Sequence, residues 1–159
     1  MSKGIVISPE KCTGCRTCEL VCSFYKIDEF NPKDAAISVL SYDEAGIQVP
    51  MTCLQCDEPH CMTVCTVNAI TKDSKTGIVH VDGEKCIGCK MCVSACPFGN
   101  MTYSSRQKKV IKCDLCDGYP QCVRLCPSGA LDYKELDSSL QKRKNIASQF
   151  VETLREGAK

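Results

Sequence analysis

The stretches KCTGCRTCELVC at residues 11–22 and KCIGCKMCVSACP at residues 85–97 share one cysteine spacing, C-x2-C-x2-C-x3-C. Two more blocks, at residues 53–65 and 113–126, read C-x2-C-x4-C-x3-C and C-x2-C-x5-C-x3-C. Together the four blocks contain all 16 cysteines of the 159-residue chain. Four cysteines at this spacing are typical ligands of an iron–sulfur cluster. The sequence therefore predicts a protein organised around inorganic cofactors.

The blocks also reveal an internal repeat. Residues 11–23 match residues 85–97, and TCLQCDEPHCMTVCTVNAI at 52–70 matches KCDLCDGYPQCVRLCPSGAL at 112–131. Self-similarity at this scale indicates repetition of a structural unit. We expect an ancestral eight-cysteine unit that was duplicated.

The surroundings of the cysteines favour metal ligation over disulfides. The chain opens MSKGIVISPEKC, without the apolar segment of a signal peptide, so a cytoplasmic location is expected. In a reducing compartment, clustered cysteines are metal ligands more often than disulfides. No apolar run approaches the roughly 18 residues of a membrane span, so any membrane association is expected through a partner.

Charge argues against nucleic acid as a partner. The formal charge is +1, but four clusters of charge −2 would take the loaded protein to about −7. The densest basic patch comprises Arg106, Lys108, Lys109 and Lys112, and it is either a docking surface or a solvated strand edge.

The segments around the blocks resemble short strands and helical turns. Strands are predicted at residues 5–7, 37–40, 46–49, 77–81 and 109–112. Single helical turns are predicted before the last cysteine of a block, at residues 19–21 and 93–95, with Pro97 and Pro127 ending such turns. Gly14 and Gly88 either let the backbone approach a cluster or are plain turn glycines.

Two other features are weaker. His60 is interpreted as a structural or surface residue, because its block already has four cysteines. His80 is expected on an exposed strand face, because alternation along residues 77–81 places it opposite Val79 and Val81. Residues 136–159 predict an amphipathic helix capped by Ser138 or Ser139. We expect its apolar face to pack on another subunit or on a second copy of this chain. The alternative is that it packs on the chain itself. The apolar positions of that helix are Leu140, Ile146, Ala147, Phe150, Val151 and Leu154.

Residues 1 to about 135 resemble the four-cluster ferredoxin-type electron-transfer subunits of molybdenum or tungsten oxidoreductases. Among these, the chain is most similar to the small iron–sulfur subunit of a tungsten aldehyde oxidoreductase. Relatives that hold a [3Fe-4S] cluster lack one ligand of the third block, whereas Cys92 is present here. Ser23 and Thr66 depart from the pattern, since ferredoxins often have proline after the fourth cysteine.

The resemblance implies an α+β fold of two interleaved bacterial ferredoxin-like lobes, one inserted in the other, plus the C-terminal amphipathic helix. The four-cluster module would span residues 1–135, and the helical extension residues 136–159. The outer lobe would comprise about 1–35 and 104–135, and the inner lobe about 50–103.

The resemblance also implies four ligand sets, each holding one [4Fe-4S] cluster with a ligand taken from a second block. Set 1 would be Cys12, Cys15, Cys18 and Cys126. Set 2 would be Cys22, Cys113, Cys116 and Cys122. Set 3 would be Cys53, Cys56, Cys61 and Cys96. Set 4 would be Cys65, Cys86, Cys89 and Cys92.

A non-catalytic function is expected, because iron with four thiolate ligands has no open coordination position. No P-loop, G-x-G-x-x-G or Ser-His-Asp arrangement is evident. The implied partners are a Mo/W-pterin catalytic subunit and another carrier or flavin subunit. The alternatives are a free polyferredoxin that serves several enzymes and, remotely, a zinc-binding structural protein. Zinc sites rarely use C-x2-C-x2-C-x3-C-P.

Overall fold

The computed structural model describes residues 2–136 and 147–148. Short helices and short strands alternate along the chain, in agreement with the predicted mixture of α and β structure. The helices are α1 Thr17–Ile27, α2 His60–Thr63, α3 Met91–Ala95 and α4 Gln121–Arg124. The strands are β1 Ser2–Ile7, β2 Ile37–Tyr42, β3 Ile47–Thr52, β4 Ile70–Lys72, β5 Val79–Val81, β6 Thr102–Ser104, β7 Lys109–Ile111 and β8 Leu131–Leu136.

The strands of the described chain pair as four antiparallel two-stranded sheets. Three are formed by consecutive strands, β2 with β3, β4 with β5 and β6 with β7. The fourth joins β1 to β8, with Ile5 opposite Tyr133. This pairing brings the first and fourth cysteine blocks to the same part of the fold, because β1 precedes the first block and β8 follows the fourth.

The five strands predicted from the sequence coincide with parts of β1, β2, β3, β5 and β7. The helical turn predicted before Cys22 is instead an 11-residue helix, α1. Its extension follows from Ser23, which stands where a proline would end the helix. Ser23 is fully buried, and its hydroxyl donates to the Leu20 carbonyl at 2.9 Å and accepts from the Asn31 N–H at 3.1 Å.

The buried side chains form two separate cores. The larger core joins apolar residues of β1, β2, β7 and β8 to cysteines of the first and fourth blocks. The smaller core contains Ile70, Val79, Met101 and Val110 together with cysteines of the second and third blocks. Cysteines therefore take the place that larger apolar side chains occupy in other small domains, and these cores are thin without a bound group.

The predicted C-terminal helix lies outside the described residues, apart from Ala147 and Ser148, which are helical. Its N-cap, its other apolar positions and its docking face therefore stay predictions. No helix in the described part of the chain combines the length and the hydropathy needed to cross a membrane.

Candidate iron–sulfur sites

The four C-x2-C loops share one backbone feature. In each block, the residue directly before the second cysteine has a positive φ: Gly14 at 69°, Gln55 at 50°, Gly88 at 69° and Leu115 at 57°. Left-handed backbone is uncommon for a residue such as Leu or Gln. Its recurrence at equivalent positions indicates that each loop requires this turn between its first two cysteines.

Three of the four predicted sets line cavities of their own. Set 1 lines one cavity, together with Val39 and Pro50. Set 2 lines a second, with Ile5 and Ala36, and set 3 lines a third, with Leu54. The empty space in and directly outside them, including space open to solvent, is about 300, 320 and 400 Å³. Each cavity thus receives three cysteines from one block and the fourth from a block distant in sequence.

The cysteines of set 4 lie together in the smaller core. Cys92 is buried in that core, and Cys65 and Cys86 pack against it. The pKa of the Cys92 thiol is raised to about 11 by burial and by the charges of Cys86, Cys61 and Cys89. All four members of set 4 are therefore neighbours, and Cys61 of set 3 is close by.

The donors in these cavities suit an iron–sulfur cluster. Thiolate sulfur is the soft ligand that Fe–S clusters select. Backbone N–H groups also point at the sulfurs, from Ala36 to Cys22 Sγ at 3.3 Å and from Ala69 to Cys65 Sγ at 3.2 Å. Such hydrogen bonds disperse the negative charge of a thiolate and adjust the potential of a bound cluster.

Burial sets the protonation of the metal-free thiols. It raises the pKa of Cys113 to about 12, and burial together with the charge of Glu19 raises the pKa of Cys18 to about 12. Cys15 is the opposite case, since hydrogen bonds from the Thr17 hydroxyl and backbone lower its pKa. Because iron binds thiolates, loading buried sites such as these releases protons.

The four ligand sets are adjacent in space in the order 1, 2, 3, 4. The pKa of Cys122 in set 2 is raised by burial and by charges that include Cys18 of set 1. The pKa of Cys113 in set 2 is raised by burial and then by Cys53 of set 3. The packing agrees, since Cys18 of set 1 shares the larger core with Cys22, Cys113 and Cys122 of set 2, and Cys53 of set 3 packs against that core. Cys61 of set 3 and Cys92 of set 4 share the smaller core, so the sets are neighbours in the order 1, 2, 3, 4.

The histidines lie at the surface or near it, as predicted. His60 is exposed at the start of α2, where it also borders the cavity of set 3. His80 is partly exposed, and its Nδ1 lies 3.8 Å from Asp117 Oδ1.

The predicted basic patch is wrong at one residue: Arg106 and Lys108 are exposed and Lys109 is half-buried, but Lys112 does not belong to the surface. Lys112 is only 5% exposed, and Arg106 is engaged by the Glu29 carboxylate. Sequence reasoning missed the burial of Lys112 because its partners are distant in the chain. Gln55 and Val79 are 57 and 33 residues away, and no local pattern points to them.

Comparison with known protein families agrees with this chemistry. The 4Fe-4S dicluster domain matches residues 45–136, and a further 4Fe-4S binding domain matches residues 5–24. Together these matches include all four cysteine blocks.

Three curated relatives illustrate the similarity. The polyferredoxin-like subunit of an aliphatic sulfonate oxidoreductase from Pyrococcus furiosus is 43% identical over 112 residues, which are 70% of this chain and 64% of the relative. The putative electron transport protein YsaA of Escherichia coli K12 is 40% identical over 128 residues, covering 73% of this chain and 77% of the relative. The anaerobic dimethyl sulfoxide reductase of E. coli K12 has a subunit that is 33% identical over 127 residues, covering 71% of this chain and 60% of that subunit.

The chain thus spans somewhat less than two thirds of the first and third of these proteins. The family assignment does not depend on them alone, because the dicluster domain covers more than half of the chain and YsaA is matched over most of its length. The chain therefore belongs to the 4Fe-4S dicluster family of ferredoxin-type iron–sulfur proteins.

Proposed function

We propose that this chain is a non-catalytic electron-transfer subunit that holds four [4Fe-4S] clusters, one in each of sets 1 to 4. The observation that carries the proposal is that three separate cavities are each lined by four cysteines from two sequence blocks. Exchange of the fourth ligand between two blocks is the pattern of two-cluster ferredoxins. When bound, the clusters supply one-electron oxidation and reduction.

The same observations support two interleaved lobes. The pairing of β1 with β8 joins the ends of the proposed outer lobe. The two cores divide most of the cysteines in the same way, with members of sets 1 and 2 in or against the larger core and members of sets 3 and 4 in or against the smaller one, while Cys53 of set 3 packs against the larger core. We retain the outer lobe at about 1–35 and 104–135, and the inner lobe at about 50–103. The β2–β3 hairpin belongs with the outer lobe, since Ile37 and Val39 pack in the larger core.

Exposure of the cysteines supports a linear relay. All sixteen cysteines lie within residues 2–136, and Cys15 and Cys89 are the exposed ones. Cys15 belongs to set 1 and Cys89 to set 4, the two ends of the series of neighbouring sets. Electrons would therefore enter and leave at opposite ends, while the two middle sets contain no exposed cysteine.

Exposed apolar side chains beside Cys89 favour a protein partner at that end. Ile87 and Met91 flank this cysteine and are 65% and 53% exposed. Apolar groups exposed together at one site are a feature of contact surfaces. The named relatives include subunits of a sulfonate oxidoreductase and a dimethyl sulfoxide reductase. We therefore propose a catalytic oxidoreductase subunit as the partner, with a Mo/W-pterin site of the aldehyde oxidoreductase type, and a second carrier or flavin subunit at the other end.

A free polyferredoxin is the second candidate. It is favoured by the similarity to YsaA, whose name describes an electron transport protein without naming an enzyme complex. Both candidates use the same clusters, and they differ in whether the chain stays bound to one enzyme.

Anaerobic purification of the natively expressed protein tests the proposal. Iron and sulfide analysis should give about sixteen iron atoms per chain, four for each cluster. Co-purification of a large pterin-containing subunit supports the complex, whereas the same iron content on a chain without a stable partner supports the polyferredoxin. About eight iron atoms would contradict the four-cluster assignment, and zinc in place of iron would contradict both candidates.

A further inference from the structure

Lys112 lies between the second and third ligand sets. It follows β7 and directly precedes Cys113, a member of set 2. Its side chain also lines the cavity that the cysteines of set 3 surround. Only 5% of the residue is exposed. A lysine is almost never buried this far unless its charge is compensated.

The hydrogen bonds of Lys112 fit an ammonium group. Its Nζ donates to Gln55 Oε1 at 3.2 Å, to the Val79 carbonyl at 3.0 Å and to the Cys113 carbonyl at 2.9 Å. Three acceptors match the three N–H donors of –NH₃⁺, whereas a neutral amine would direct its lone pair at one of these oxygens. All three acceptors are uncharged, so they satisfy the donors without neutralising the positive charge.

Gln55 fixes the position of this charge. The side chain of Gln55 is 2% exposed and belongs to the C-x2-C loop of set 3. Its Nε2 donates to the Cys113 carbonyl at 2.7 Å, and its Oε1 accepts from the Val79 N–H at 3.0 Å as well as from Lys112. The ammonium is therefore held between the loop of set 3 and the backbone of set 2, and it cannot move away without breaking several buried hydrogen bonds.

Four thiolates around a [4Fe-4S] core supply the anion that the neutral partners of Lys112 do not. We propose that Lys112 is a tuning residue that raises the reduction potential of the iron–sulfur site held by Cys53, Cys56, Cys61 and Cys96. This inference rests on the ligand set given under the proposed function. Reduction adds one electron and one negative charge to the site, and no bond is made or broken. A fixed positive charge in a poorly polarisable interior favours the more negative state.

The test measures potentials on the assembled protein. Lys112→Met removes the charge and keeps most of the side-chain volume. Lys75→Met is the matched control, because Lys75 is exposed in the turn between β4 and β5. Each protein is titrated anaerobically with dithionite and followed by electron paramagnetic resonance, after its iron and sulfide have been counted. If Lys112→Met does not retain all of its iron, Lys112→Gln is titrated in the same way, because glutamine removes the charge but keeps an N–H donor at this position.

We expect one midpoint potential to become more negative in the Lys112 variant, by at least a tenfold change in the equilibrium constant for reduction, which is about 59 mV for one electron. The other midpoints should change less, and Lys75→Met should match the unmodified protein. Unchanged midpoints in a fully loaded Lys112 variant would overturn the inference while leaving the four-cluster assignment intact. A wild-type protein without four clusters would instead remove the proposed function on which the inference rests.

Discussion

Gly88 and Lys108 are in backbone contact so close that no side chain fits at the glycine. A Cβ built on Gly88 would overlap the Lys108 carbonyl oxygen, and the φ of Gly88 is +69°. Gly14, at the equivalent position of the first block, has the same φ, but the nearest group to its Cβ would be the Gln48 side chain, at 3.0 Å. The glycine of the third block is therefore required by contact with the chain itself, whereas the glycine of the first block is required only by its turn.

We predict that Gly88→Ala is much more disruptive than Gly14→Ala. The left-handed conformation costs about 1–2 kcal/mol for alanine at either position. Gly88→Ala must in addition displace the backbone at Lys108, because a carbonyl oxygen cannot rotate away as the Gln48 side chain can. Iron analysis and thermal melting of both variants provide the measurement. Equal iron retention and equal melting temperatures in the two variants would contradict the contact at Gly88.

The exchange of ligands between blocks predicts which cluster each cysteine variant loses. Cys18 and Cys22 are four positions apart in one block, but they belong to different sets. Cys18→Ala should remove the signals of set 1, and Cys22→Ala those of set 2. Cys126→Ala should match Cys18→Ala, although Cys126 lies in the fourth block. Electron paramagnetic resonance of the reduced variants distinguishes the two patterns, and identical spectra for the Cys18 and Cys22 variants would refute the exchange.

Cys18→Ala also tests the relay. It should reduce electron transfer from a catalytic partner at the Cys89 end to an acceptor that docks at the Cys15 end. The active site of the catalytic partner should not change. Full transfer in this variant, measured in the complex, would contradict a path through set 1.

Cysteine spacing was sufficient to predict the character of the sites, because each block carries its ligands within a few residues. The conformation of the C-x2-C loops was less predictable. Gly14 and Gly88 indicate a left-handed turn, but Gln55 and Leu115 adopt the same backbone without any such signal. Strands β4 and β6 were not predicted, and each pairs with a strand, β5 or β7, that the sequence did indicate.

Burial was the property that sequence reasoning judged least well. Lys112 stands in a basic stretch that suggests a solvated edge, and Glu19 stands on a helix where a charged residue normally faces water. Both are buried because residues far away in the chain cover them: Gln55 and Val79 in one case, Val39 in the other. Contacts of this kind depend on the packing of separate elements, and no window of sequence contains them.

We predict that Asp114→Asn destabilises the loaded protein at neutral pH. The Asp114 carboxylate pairs with Lys26, and its Oδ1 accepts from the Cys116 N–H at 2.9 Å. Asparagine keeps an acceptor for that N–H but leaves the largely buried Lys26 ammonium without its counter-charge. A loss of about 2 kcal/mol is expected, or a decrease of about 4–8 °C in the midpoint of bleaching of the iron–sulfur absorbance. Asp132→Asn is the control, since its pair with Lys134 is largely exposed and should contribute little.

The stability loss caused by Asp114→Asn should depend on pH in one direction. Burial opposes ionisation of Asp114, but the hydrogen bond and charge of Lys26 outweigh it, so the pKa of Asp114 lies below its ordinary value. A depressed pKa contributes stability above the unfolded-state value, near pH 4, and that contribution is lost as the pH falls through the folded-state pKa. The difference between Asp114→Asn and the unmodified protein should therefore be constant from about pH 5.5 to 7.5. A deficit that disappears within this range would show that the carboxylate is not ionised as described.

We predict that the negative charge of Glu19 lowers the reduction potential of the site held by set 1, which is opposite to the effect proposed for Lys112 at set 3. Glu19 is 4% exposed, its Oε1 accepts from the Val39 N–H at 2.6 Å, and its charge acts on the neighbouring Cys18 thiol. Arg16 lies 3.6 Å from Oε2 but is itself half exposed, so solvent weakens its compensation. Glu19→Gln keeps an acceptor for Val39 and removes the negative charge beside set 1. The potential of that site should rise, by up to about 59 mV if reduction becomes tenfold more favourable. Glu44→Gln, in an exposed turn, should change no midpoint. A midpoint that falls or stays constant in fully loaded Glu19→Gln would mean that Glu19 acts on the fold through Val39 and not on the charge at set 1.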